Sequence, residues 1–171
     1  MAVAVGVSLA EYIAATYDPD CDYVDGEVRE RNVGDWNHAR FQATLGAQLY
    51  SLERRLGIFV APELRVQVRP DRFRIPDITV TLAKPIKRWV TEPPYLAIEV
   101  LSDGQSLGDI QDRIADYVEF GIPHIWVVDP VTVRGWDAST GVPVEARDGV
   151  LKTGHPEIVV NLRELAEYAR G

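Results

Sequence analysis

Two acidic residues stand where packing alone would favour aliphatic ones. Asp77 falls within FRIPDITVTL at 73–82 and Glu99 within YLAIEVLS at 95–102, stretches rich in apolar and β-branched residues that read as strands. A carboxylate placed in such a strand needs a compensating charge or hydrogen bonds. A hard divalent cation such as Mg2+ or Mn2+ supplies that compensation. It prefers oxygen ligands, needs only one or two carboxylates, and completes its shell with water, a backbone carbonyl and phosphate oxygens. The carbonyl of Val100 is a natural third ligand. The spacing by itself suits a structural ion pair or hydrogen-bonded pair equally well, with Asp77 bonded to an arginine in the core.

Two further residues could join this chemistry. His38 precedes Phe41, Leu45 and Leu49 by three, seven and eleven residues, which puts it on their inward helical stripe. There it is a candidate ligand or proton shuttle, or else a satisfied core histidine. Arg113 lies at the helical angle of Tyr117 and Phe120, on the face of Ile110 that should pack over the sheet. From there it can reach the carboxylates and clamp a phosphate, or lay its stem on apolar surface with its charge paired. Tyr117 and Trp126 read as core, and His124 and His155 as structural or exposed.

The elements that would position these groups follow from periodicity and turn chemistry. Residues 8–17 suit a short helix, and DYVDGEVRER a hairpin around Asp25-Gly26, a dipeptide adapted to positive φ. Asp35 is a plausible N-cap for a helix running to Leu56, with Phe41, Leu45, Leu49, Leu52 and Leu56 at alternating intervals of three and four and Gly57 as its stop. Extended stretches are expected at 58–69, 73–82 and 95–102. A helix from Asp109 to Phe120 then leads to the buried strand HIWVVDP, an order that implies a right-handed crossover between parallel strands. Shorter antiparallel strands and an amphipathic helix, NLRELAEYAR, complete the chain.

Bulk properties narrow the function. A length of 171 residues suits one domain, because two would each be too small to bury an adequate core. The hydrophobic share of 46% argues for a packed core rather than disorder. Cys21 has no partner for a disulfide or structural zinc site, which points to a reducing, cytoplasmic setting. The run MAVAVGVSLA has no basic residue before it and meets Glu11 directly, so it reads as a tail rather than a signal peptide or membrane span. A net charge of -8 argues against coating nucleic acid by bulk electrostatics, although basic residues could still gather near one groove. Arg65, Arg69, Arg72, Arg74, Lys84, Lys87 and Arg88 are such a gathering, or else an ordinary solvated hairpin surface.

Several motifs in order carry a family resemblance. Pro76-Asp77-Ile78 is followed by AIEVLS at 97–102, Asp112-Arg113 with Tyr117, and GIPHIWVVDP at 121–130, while DYVDGEV precedes His38 at a helix start. Over roughly residues 10–135 this pattern resembles the PD-(D/E)xK nucleases, and within them the Uma-type restriction endonuclease family, abundant in bacteria. The resemblance implies an α/β (α+β) restriction-endonuclease-like fold, with a mixed central sheet flanked by helices. It implies a Mg2+- or Mn2+-dependent endonuclease acting on DNA, with Asp77 and Glu99 holding the metal and water as nucleophile. By analogy Glu27 becomes a further acidic contact to the metal, and a homodimer a natural form for cutting both strands. In the standard motif a lysine lies two residues after the glutamate, where this chain has Leu101; the matching position on the following helix is Arg113. An arginine stays protonated, so Arg113 suits transition-state stabilisation better than base catalysis. The alternative is a catalytically impaired nuclease fold that binds nucleic acid or a protein.

Overall fold

Strand β7 (Leu96–Val100) is buried throughout, and its side chains alternate between two cores in a way that organises the molecule. Leu96, Ile98 and Val100 join one apolar cluster with Phe41, Leu45 and Leu49 of helix α2 (Trp36–Ser51), whereas Ala97 faces a second cluster with Ile114 and Tyr117 of helix α4 (Gln111–Phe120). Side chains on a strand point to opposite faces in turn, so Glu99 belongs to the α4 side. Strand β8 (His124–Asp129) pairs parallel to β7 and is also covered on both faces, which explains its unbroken apolar run.

The computed structural model describes residues 6–32 and 34–171; the tail expected at residues 1–5 lies outside them. Its larger sheet has six strands in the order β10 (Val144–Glu145), β9 (Arg134–Asp137), β8, β7, β6 (Ile78–Thr81), β3 (Phe59–Pro62). The β7–β8 pair is parallel and the other neighbours are antiparallel. A four-stranded antiparallel sheet runs β2 (Glu27–Arg29), β1 (Asp22–Val24), β5 (Arg72–Arg74), β4 (Val66–Arg69). A hairpin of β11 (Val150–Lys152) and β12 (Val159–Asn161) leads into helix α5 (Leu162–Arg170), which packs against α2. No helix among the described residues is long and apolar enough to cross a membrane.

Several expectations hold in detail. The β1–β2 hairpin turns on Asp25 and Gly26, both at positive φ. Asp35 caps α2 by accepting from the His38 N–H at 2.9 Å, and Gly121 ends α4 in the left-handed conformation. The short first helix is α1 (Leu9–Ala14). Three expected elements are divided, however. The long helix breaks at Leu52 into α2 and α3 (Glu53–Leu56), the 58–69 stretch into β3 and β4, and 73–82 into β5 and β6. In each strand case the two halves lie in different sheets, so the chain passes from one sheet to the other on either side of the site.

Candidate active site

Both carboxylates arise where β6 and β7 meet at one end of the larger sheet. Ile78 pairs with Ile98, and one further step in that register sets Asp77 across from Glu99. Asp77 is not inside the strand, as its apolar surroundings suggested, but in the bend after Pro76, immediately before β6. Its backbone carbonyl accepts from the Glu63 N–H at 3.2 Å and from the Gln42 side-chain amide at 3.0 Å. These contacts tie the bend to β3 and α2, so a residue outside regular structure is held by both neighbours.

Each carboxylate is buried and fully engaged. Asp77 is 3% exposed; its Oδ2 accepts from the Val100 N–H at 2.7 Å, and its Oδ1 lies 2.9 Å from an Arg31 guanidinium nitrogen and 3.5 Å from His38 Nε2. Glu99 is also 3% exposed; its Oε1 accepts from the Tyr117 hydroxyl at 2.5 Å, and its Oε2 lies 3.1 Å from Arg113. Burial, together with the nearby Asp77 charge, raises the Glu99 carboxyl to about 7, against the opposing pull of Arg113 and Tyr117. Burial opposes the charge on His38, but its hydrogen bond to Asp77 and that carboxylate's charge raise its pKa overall. Arg113 is likewise raised, because Glu99 and Asp22 outweigh the cost of its burial.

A second group of charges stands beside this pair. Asp22 of β1 accepts from the Ile75 N–H at 3.1 Å, and its Oδ2 lies 3.0 Å from Arg74 and 3.2 Å from Arg113. Arg74 and Arg72 both reach Asp116 of α4, at 2.6 and 2.7 Å. Asp22, Arg74 and Arg113 form part of the wall of a polar cleft of about 490 Å³ that the Asp103–Gln105 loop also lines. Arg113 therefore faces the open cleft and touches the buried Glu99 at once. Helix α4 can deliver it because Arg113 and Tyr117 are four residues apart and so project from one face.

The sequence-derived candidates separate into those gathered here and those that are not. Asp77, Glu99, Arg113 and His38 converge, and the amide of Val100 binds Asp77. Glu27 does not join them. It sits on the outer strand β2 with its side chain 57% exposed, paired with Arg29, and it does not line the cleft. The acid of that hairpin that does line the cleft and reach Arg113 is Asp22, five residues earlier on the partner strand. Four of the seven residues in the basic stretch also differ from a free cationic surface. Arg65 pairs with Asp20, Arg69 with Glu119, Arg72 with Asp25 and Asp116, and Arg74 with Asp22 and Asp116. Two residues escaped the sequence reading, Asp22 and Arg31; Arg74, expected only as one of a basic gathering, lines the cleft, and Tyr117, expected as core, is core by packing yet donates to Glu99. An acid in the first strand and the alternating arginines of RFRIPD, Arg72 and Arg74, were the available signals.

Among the described residues no set of three or more His, Cys, Asp and Glu side chains converges as a ready cage for a metal ion. The donor chemistry nevertheless fits Mg2+ or Mn2+, because two adjacent hard carboxylates and a carbonyl are enough when water and a phosphate complete the shell. Arginine guanidinium groups balance the carboxylates in this arrangement.

No curated protein matches the chain. A solved structure described as "a putative nuclease belonging to DUF820 from Anabaena variabilis" superposes with a TM-score of 0.80 at 17% identity, covering 95% of this chain and 99% of that one. At this identity the likeness establishes the fold, the mixed sheet with flanking helices that the motif order implied. The family match adds sequence to shape. Uma2, described as "Putative restriction endonuclease", matches residues 9–136, and with most of its length so matched the chain belongs to that family.

Proposed function

We propose that the chain is a divalent-cation-dependent endonuclease that hydrolyses DNA phosphodiesters with water. The observation that carries this reading is the pairing of Asp77 with Glu99 at one sheet end, with Arg113 set between Glu99 and a polar cleft. Asp77, Glu99 and the Val100 carbonyl would hold Mg2+ or Mn2+. Bound there, the cation supplies acidity to a coordinated water and positive charge against the phosphate. Arg113 binds a non-bridging phosphate oxygen and stabilises charge that builds up in the transition state. His38, held by Asp77 and 3.4 Å from the Ser102 hydroxyl through Nδ1, is placed to move a proton at Nε2. Tyr117 orients Glu99, and cleavage of duplex DNA would bring two copies together, one for each strand.

The test is incubation of plasmid and single-stranded DNA with Mg2+ or Mn2+, comparing the wild type with Glu99→Gln and Arg113→Lys. Metal-dependent cleavage that Glu99→Gln abolishes supports the reading. Absence of cleavage from both substrates with either metal sinks it.

One observation favours a second reading. Arg31 and Arg113 already neutralise Asp77 and Glu99, as they would in a catalytically silent member of the fold that binds nucleic acid or a protein. DNA binding without cleavage in either metal, unchanged in Glu99→Gln, is the outcome that selects it.

A further inference from the structure

Arg31 touches Asp77 directly and has no part in the chemistry described so far. It lies in the segment between β2 and α2, and its side chain is 8% exposed. One terminal nitrogen is 2.9 Å from Asp77 Oδ1, and the other is 4.0 Å from Glu63 Oε1. Its Nε is buried and has no hydrogen-bond partner among the described residues. An orphaned donor on a guanidinium is costly, which marks this arrangement as incompletely satisfied.

The contact with Asp77 conflicts with metal binding. Oδ2 of Asp77 is taken by the Val100 amide, so Oδ1 is the atom left for a cation, and Arg31 and His38 both crowd it. A guanidinium in contact with Oδ1 and a divalent cation on the same oxygen are like charges at short range. They exclude one another unless an anion comes between them. Glu63 defines the way out. Its carboxylate is 53% exposed, its backbone adopts a left-handed φ of 49°, and its N–H is anchored to the Asp77 carbonyl. Arg31 thus lies between a buried acid and an exposed one, with a short route from Asp77 toward solvent.

We propose that Arg31 is an internal counter-ion exchanged during loading: it holds Asp77 while no metal is bound, and moves onto a substrate phosphate when a divalent cation takes its place. This deepens the nuclease reading and rests on it. A nucleic-acid phosphate can accept the displaced guanidinium as a two-pronged fork in place of the single contact to Asp77 Oδ1, and its Nε gains a partner. Metal and phosphodiester therefore bind cooperatively, and each raises the affinity for the other by the same factor. The site holds metal weakly until DNA is present.

The experiment measures Mn2+ affinity by calorimetry with and without a short phosphorothioate duplex, for the wild type, Arg31→Met and Arg31→Lys. In the wild type the duplex should tighten Mn2+ binding by roughly tenfold, a common size for coupling between sites. Arg31→Met, which keeps the apolar stem and loses the charge, should bind Mn2+ about tenfold more tightly without DNA and show no further gain with it. Arg31→Lys retains a movable cation and should retain part of the coupling, so the idea stands or falls even if the methionine variant does not fold. Equal Mn2+ affinity with and without DNA in the wild type overturns the exchange while leaving the nuclease reading intact. No Mn2+ binding by any of the proteins overturns both.

Discussion

The buried carboxyl of Glu99 is the residue on which most of the site's physics depends. Tyr117 and Arg113 each satisfy one of its oxygens, and burial makes either loss expensive. Tyr117→Phe removes the donor to Oε1 and should lower unfolding free energy by about 1–3 kcal/mol, the usual cost of leaving a buried acceptor unpaired. Urea denaturation measures it; a change within error would mean that water replaces the hydroxyl. The same carboxyl sets a pH dependence whose sign can be worked out. Its pKa rises from an ordinary 4.5 to about 7 on folding. Between those values the folded chain holds a proton that the unfolded chain has released, so stability from this group is present at low pH and falls as pH rises. His38 acts in the same sense, because its raised pKa means that stability from its protonated form is lost as pH climbs through that value. The metal-free wild type should therefore lose more stability between about pH 5 and pH 8 than Glu99→Gln does. Parallel stability curves for the two proteins would exclude Glu99 as the titrating group. Added Mn2+ should oppose the trend, since ligands must ionise to bind it.

Among the elements, helix α2 links the carboxylates to the cleft through its first turn. One oxygen of Asp35 caps the His38 N–H, and the other accepts from the Asp103 N–H at 2.8 Å in a loop that lines the cleft. Asp35→Ala should cost about 1 kcal/mol in helix capping and also free that loop. Faster amide hydrogen exchange at Asp103, with little change deep in α2, is the expected signature; unchanged exchange there would separate the cap from the loop. This cap was readable in the sequence because it is local: an acid about a turn and a half ahead of the apolar stripe that begins at Phe41. So were the inward placement of His38, the Asp25-Gly26 turn, and the buried β7–α4–β8 unit with Glu99 and Arg113. What could not be read was long-range pairing. Nothing local tells that the stretch around Pro76 leaves one sheet and enters another, or that Asp22 of the first strand lies beside Arg113. Glu27 was misplaced for the same reason, since either acid of that hairpin could face inward until β1 is known to be the strand paired with β5.

At the scale of the whole molecule, the open question is how far the stretch outside the family match contributes to the core that holds the site. The family match ends at residue 136, yet Leu151, Val160, Leu162 and Leu165 lie in the same apolar cluster as Leu45 and Leu49 of α2 and Ile98 of β7. Gly135 of β9 makes room for this packing, because a methyl group there would come within 2.5 Å of a Leu162 terminal carbon. A shared core of this kind predicts a single cooperative transition rather than a stable amino-terminal unit with a loosely attached end. Leu165 is 3% exposed, so Leu165→Ala should cost about 2–5 kcal/mol through lost burial and a residual cavity. The effect should appear as one earlier urea transition, with tryptophan fluorescence and far-ultraviolet circular dichroism still coincident. If the two probes separate, with helix α5 melting first while the Trp126 signal stays native, the carboxyl-terminal segment is an accessory layer and the site would survive its loss. If they shift together, packing more than sixty residues along the chain from Glu99 stabilises the sheet end where Glu99 and Asp77 meet.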